Sequence, residues 1–442
     1  TLDRSSAASD VYKRQLKDFQ ESFNNARNKV VARAAMKSGL LEASFNPELG
    51  DKLNHVFSIE VDTENVTNQQ QSGRCWLFST LNTLRHEFGV KHKVKNFTLS
   101  QAYNFFWDKI ERANRFYDEI INSANQPLED RTVQEYLRFA GEDGGQWAMA
   151  ASLVQKYGVV PSYAMPETYN TNHTAALAES LGRKERKDAL VLRKLVQEGK
   201  LEEVEAKRKE FLNEVYRMTA LAVGEPPKTF DLEYKDDDKK YHLDKNLTPV
   251  EFFKKYINLD FSDYVCLTNA PDHEYNKLYS LPFEDNVNGG IPITFLNVPM
   301  DVLRKATIAQ LKDNETVWFG NDVGKQKDNK TGYLDTDLYQ LDQLFDVDTT
   351  MTKKERLETR EGTVSHAMTI TGVDLDGETV RKWKVENSWG DKIATKGYFT
   401  MSDQWFEEFV YEVVVHKKYL TDEQKQIAQS EPEPLKPWDS IA

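Results

Sequence analysis

Cysteine is nearly missing from this chain: two thiols, Cys75 and Cys266, stand in 442 residues. That excludes a disulfide framework, and with no secretory signal it points to a reducing compartment, the cytoplasm. No apolar run approaches the ~18–20 residues of a membrane helix, and the first residues carry no apolar h-region of a signal peptide. Basic charge is also short, 58 Lys and Arg against 71 Asp and Glu, a net charge of −13. A nucleic acid or an anionic membrane needs a basic face, so both are disfavoured as partners. There is no C-x-x-C and no H-E-x-x-H, hence no metal motif and no cofactor expected. Asn321-Asp322-Val323-Gly324-Lys325 has the wrong glycine spacing for a phosphate loop.

What remains is a chain with 39% hydrophobic and 11% aromatic residues. It is long enough for a large core, as about three ordinary domains or one elaborated one. Residues 1–15 lack a periodic pattern, resemble translated adapter sequence, and are expected to be a non-native or disordered leader. Leu16, Phe19, Phe23, Ala26, Val30 and Ala34 predict helix, ended or interrupted at Gly39. A mainly helical lobe is expected over 16–173, with a short strand over 57–61 and helices starting at Cys75, Ser100, Thr132 and Trp147. Residues 174–256, rich in Lys, Arg, Glu, Leu and Ala, read as a helical insertion. Residues 257–420 turn to strand composition, with Ala367–Val373 and Thr379–Val385 among the runs. A proline-bearing arm, 421–442, closes the chain.

One cysteine sits where chemistry would want it. In Gln69-Gln70-Gln71-Ser72-Gly73-Arg74-Cys75-Trp76-Leu77-Phe78-Ser79 a Gly-containing loop turns into an apolar helix at Cys75. The partial positive charge at a helix start favours the thiolate, which is the nucleophile. Such a thiol needs a base, and the base a group to orient it. Asp376-Gly377 is a dipeptide favoured in type I′ hairpin turns. With it as a two-residue loop, His366 falls directly opposite Asn387, with Cβ atoms about 4.5–5.5 Å apart. A bulge or a three-residue loop would shift that register by one. An Asn side chain can accept a hydrogen bond from the imidazole and fix its tautomer without adding charge.

Gln69-x5-Cys75-Trp76-x-Phe78-Ser79, His366-Ala367-Met368 and Asn387-Ser388-Trp389-Gly390 resemble the three active-site boxes of papain-like cysteine peptidases. Arg74, the absence of cysteine at 72, the insertion and the ending Pro437-Trp438-Asp439 narrow the resemblance to the bleomycin hydrolase and bacterial aminopeptidase C branch. His366 lies roughly 290 residues after Cys75, about twice the ~130–150 of the small papain-like enzymes; the insertion and longer loops account for the excess.

The resemblance implies an α+β, two-lobed fold, helical lobe against a β-barrel-like lobe. It implies Cys75 as nucleophile, His366 as base and then acid, Asn387 as its orienter and Gln69 as oxyanion donor. Trp389 would shield the His–Asn pair, and Gly144-Gly145 would pair with the substrate backbone. The Ala442 carboxylate would meet the free amino group of a peptide substrate. Assembly as a homo-hexamer is implied as well. Only Ser440-Ile441-Ala442 follow Asp439, fewer than such arms usually carry, which leaves open an endopeptidase of the same fold. A papain-like scaffold used for binding is a third reading.

Overall fold

The computed structural model describes residues 2–442, with side chains from Tyr12 onward. A helix spans Leu2–Phe23 and takes in most of the stretch expected to be a non-native or disordered leader, 1–15; Thr1 lies outside the described residues. The helix expected beyond it breaks twice. Asn25 caps a new helix, Ala26–Ser38, by accepting from the Asn28 N–H at 2.8 Å, and Gly39, at φ +89°, ends it before Leu40–Ser44. The strand expected over 57–61 shrinks to Ile59–Glu60.

Two large cores, with a small third one around Leu49, Leu53 and Leu338, organise the described residues. The first packs the helices Cys75–His92, Gln101–Asn122 and Trp147–Tyr157 through Leu77, Leu84, Phe88, Phe105, Tyr117 and Val154. Ser100 caps its helix as expected, accepting from the Tyr103 N–H at 3.1 Å; the helix expected from Thr132 begins at Arg131, and its cap is Asp130, which accepts from the Thr132 N–H at 2.9 Å, each bond satisfying a donor that a helix leaves free. The segment read as an insertion shares this core through Leu181, Leu192, Phe211 and Val215. It is helical in Ala175–Gln197 and Leu201–Val223, and again from Pro249 onward. An antiparallel hairpin lies between, Phe230–Lys235 with Tyr241–Leu247, and the charged residues 236–240 are its loop. The helical reading of 224–247 is therefore corrected: Phe230, Leu232 and Leu247 alternate inward, and period two wins over composition.

The second core lies on a mixed sheet containing Tyr264–Thr268, Val317–Asn321, His366–Asp376, Thr379–Glu386, Tyr398–Ser402 and Val410–His416. These strands pair side by side along one continuous path, and this sheet with the helical core makes the expected α+β, two-lobed arrangement. Met368, Ile370, Trp383, Val385, Phe399 and Phe406 fill this core. The lobes are stitched at the Cys75 helix. Ser79 Oγ donates to Met368 O at 2.7 Å and pairs with Thr369 Oγ1 at 2.9 Å, while Trp318 Nε1 donates to Trp76 O at 3.2 Å. These bonds set the start of that helix beside the strand that begins at His366.

Candidate active site

The loop before Cys75 is held by a buried cation. Arg74, fully buried, pairs with both oxygens of Glu167 at 2.8 and 3.2 Å and lies over the rings of Phe78 and Phe105. Its Nε donates to Ser72 Oγ at 3.1 Å, and Ser72 Oγ donates to Gln69 O at 2.6 Å. The chain thus enters the helix at a fixed angle. Cys75 is its first residue, where backbone N–H groups have no helical partner. The N–H groups of Ala367, Trp76 and Cys75 itself point at the thiol and favour the thiolate, but burial outweighs them and pushes the thiol up.

His366 opens its strand, and Ala367 is the next residue along it, so the N–H contact to Cys75 comes from the histidine's own neighbour. His366 Nε2 lies 2.9 Å from Asn387 Oδ1. That oxygen also accepts the Ser388 backbone N–H at 2.8 Å. A backbone N–H can only donate, so Oδ1 is the acceptor there, and His366 Nε2 must be its second donor. The neutral ring therefore carries its proton on Nε2 and offers Nδ1 as a base. Burial, opposed by the Asn387 hydrogen bond and aided by the charge of Lys327, pushes the imidazole down to about 4. Trp389 lies against the ring, tilted by 33° with centroids 4.9 Å apart, and Lys327 Nζ is 4.4 Å from the centre of the indole.

The strand register differs from the sequence reading. Thr369 pairs with Glu386 and Asp376 with Thr379, so the loop is Gly377-Glu378 with Gly377 at φ +62°. A glycine at the first loop position with positive φ suits a type II′ turn. Relative to the expected pairing the strands slide by two residues, and His366 meets Asn387 diagonally. A slide of two keeps the same face of the sheet, whereas a slide of one would have separated them.

Gln69 is buried, and its amide is oriented from both ends. Ser388 Oγ donates to Oε1 at 2.6 Å, and Nε2 donates one hydrogen to Ser72 O at 2.6 Å. The second Nε2 hydrogen is left for another acceptor. Gly145 approaches Trp76 so closely that a Cβ would stand 2.8 Å from Cε2, while a Cβ on Gly144 would meet nothing within 4 Å. Neither backbone polar group of Gly145 is hydrogen-bonded among the described residues. Cys75, His366, Gln69, Gly144, Gly145 and Trp389 all line one cavity of about 610 Å³, within the range of small-ligand sites. Asn387 stands behind the wall. Ile441 and Ala442 close one side of the cavity.

Sequence reasoning missed Ser388, Arg74–Glu167 and Lys327 as supports. Ser388 was within reach, being inside the Asn387 box; Glu167 and Lys327 carry no local signal, because their partners lie far along the chain. Among the described residues no group of three His, Cys, Asp or Glu side chains could hold a metal.

Residues 10–442 match the model of the peptidase C1-like family. Aminopeptidase G of Lactobacillus delbrueckii subsp. lactis is 65% identical over 97% of this chain and 98% of its own length. Aminopeptidase E of Lactobacillus helveticus is also 65% identical, over the same shares. Aminopeptidase C of Lactobacillus delbrueckii subsp. lactis is 47% identical over 93% of each. A crystal structure of PepW from Lactobacillus rhamnosis HN001 superposes with a TM-score of 0.94 at 45% identity, covering 96% of this chain and 97% of that one.

Proposed function

This chain belongs to the peptidase C1-like family and is a cysteine-type aminopeptidase, and from that premise we propose how its residues carry out the reaction. Cys75 passes its proton to His366 Nδ1 and attacks the carbonyl of the first peptide bond. Charge develops on the carbonyl oxygen, which takes the Cys75 N–H and the free hydrogen of Gln69 Nε2. His366 then gives its proton to the leaving amine. Water, activated by the same imidazole, hydrolyses the thioester. Burial penalises either charge alone, but proton transfer makes both charges at once and side by side, so each stabilises the other.

The observation that carries this reading is the doubly fixed Asn387 oxygen, which leaves His366 Nδ1 as the only basic ring atom. Gly145 offers an extended peptide its free backbone N–H and C=O, Gly144 beside it adds no side chain, and Trp389 keeps water from the His–Asn pair. The Ala442 carboxylate, at the cavity wall, receives the substrate ammonium, so that one residue is removed at a time.

Peptides are the substrates. Exposed apolar side chains on the N-terminal helices, among them Phe19, Phe23, Val30, Met36 and Leu41, support a homo-hexamer that covers them. The unpaired state of Cys75 and Cys266 supports a cytoplasmic location; among the described residues no helix is long and apolar enough to cross a membrane.

The test compares one peptide with its N-acetylated form, using the wild type and Cys75→Ala. The proposal expects cleavage of the free-amine peptide alone, and none by the variant. Equal cleavage of both peptides would sink the terminal-carboxylate reading and favour the endopeptidase; activity in Cys75→Ala would remove the nucleophile.

A further inference from the structure

The C-terminal arm is fastened along its length, most tightly just before its end. Glu433–Pro434 runs parallel beside Tyr279–Ser280, and Leu435 N–H donates to Ser280 O at 2.9 Å. The Arg131 guanidinium lies 4.0 Å over the Trp438 ring. Arg360 donates to the carbonyls of both Trp438 and Asp439. The last clamp is ionic. His273 meets Asp272 through Nδ1 at 3.0 Å and Asp439 through Nε2 at 3.1 Å. Ser440 Oγ donates to Asp272 at 2.5 Å, and Asp439 Oδ1 also accepts the Ile441 N–H at 3.2 Å. Beyond this point Ile441 is buried and Ala442 faces the cavity that holds Cys75.

Three residues separate this clamp from the end of the chain. Fully extended they reach at most about 11 Å, and the turn closed by Ala442 N–H on Asp439 O shortens that. The place of the terminal carboxylate is therefore set by where Asp439 is held. We propose that His273, ion-paired between Asp272 and Asp439, is a positioning residue that fixes how far the Ala442 carboxylate enters the cleft, and with it the preference for a free amino terminus over an internal peptide bond. This rests on the reading of Ala442 as the ammonium acceptor. The two carboxylates raise the imidazole to about 10, so the clamp stays charged through the neutral range. Nothing in the sequence around Pro271-Asp272-His273 announces it, because its partner lies at the far end of the chain.

The experiment measures kcat and KM on an amino-acid amide with a free amine, and cleavage of an N-acetylated peptide. It uses full-length His273→Gln and Asp439→Asn, their double mutant, and a chain lacking Ile441-Ala442. Asp439→Asn, near the chain end, serves if His273→Gln does not fold. Each single substitution is expected to raise KM for the amide by about 5-fold or more with kcat little changed, the pattern of lost ground-state binding. Each is also expected to raise cleavage of the acetylated peptide, and the double mutant to go no further than the more affected single. Singles that keep wild-type KM and discrimination, while the truncated chain loses both, overturn the clamp and leave the arm reading standing. A truncated chain that behaves as wild type overturns the arm reading and the clamp with it. A fall in kcat at constant KM also overturns the clamp.

Discussion

His366 and Asn387 share a 2.9 Å hydrogen bond without being strand partners, and the oxygen that joins them is pinned by the Ser388 N–H. The pair is thus a device for choosing a tautomer. Removing the oxygen in Asn387→Ala frees the ring to carry its proton on either nitrogen, and kcat is expected to fall on the order of 10²-fold. Asn387→Asp keeps an acceptor and adds a negative charge, which favours the imidazolium. Its expected signature is an acid limb of the rate profile moved to higher pH. Steady-state kinetics across pH check both; a wild-type kcat in Asn387→Ala would remove the orienting role.

The wild-type profile has its own sign. His366 must be neutral to accept the Cys75 proton, and burial holds its charged form down to about pH 4. Stabilising the thiolate–imidazolium form of the pair moves the first proton loss lower still, never higher, because it adds a second deprotonated microstate. Activity is therefore lost only as pH falls through about 4, and burial of the thiol holds the alkaline side up. kcat/KM measured from pH 3.5 upward checks this, with an acid limb at the ordinary histidine value of about 6.5 as the contrary result.

Gln69 and Ser388 give a graded pair. Gln69→Ala removes the proposed oxyanion donor, and kcat is expected to fall by about 10²–10³-fold. Ser388→Ala leaves the donor in place but lets the amide turn, since Oε1 loses its 2.6 Å partner. Its loss of kcat is expected to be smaller than that of Gln69→Ala, and the double mutant to match Gln69→Ala alone. Additive losses would mean that Ser388 acts by another route.

Glu167→Ala tests the support beneath the loop that leads into Cys75. It leaves the fully buried Arg74 without its charge partner, a change that costs about 3–5 kcal/mol in buried pairs. Glu167 is itself partly exposed, so the lower end is expected. Denaturant unfolding read as a shift in midpoint measures it, and a shift below ~1 kcal/mol would mean that water replaces the carboxylate.

How much of this was legible beforehand depends on the range of the interaction. Cys75 at a helix start, Ser100 as a cap, and the strand runs around His366 were readable, since each is a local pattern of a few residues. The hairpin was legible in kind and wrong by two residues in register: Asp376-Gly377 suits one turn, and the bulges at Ile370–Gly372 and Asp374–Leu375 leave no sequence mark. The Phe230–Leu247 hairpin was hidden by its charged composition. Glu167 on Arg74, Lys327 on Trp389 and His273 on Asp439 were not legible at all, because burial pairs them across long stretches of chain.

The two neighbouring glycines separate packing from substrate access. Gly145→Ala puts a methyl 2.8–2.9 Å from two Trp76 ring atoms and 3.0 Å from Arg112 Nη2. The ring is fully buried, with its Nε1 held on Asp143 O at 2.8 Å, and cannot give way. The expected result is overpacking, about 1–3 kcal/mol of lost stability, with kcat also reduced because Trp76 follows Cys75 in the same turn of helix. Gly144→Ala meets no protein atom, so its melting temperature should match the wild type. Its methyl stands at the cavity wall where a peptide backbone would run, and a rise in KM with unchanged stability is the expected outcome. Thermal melts and steady-state kinetics on the two variants distinguish the roles. A Gly144→Ala enzyme with wild-type KM would mean that substrate does not approach along this edge.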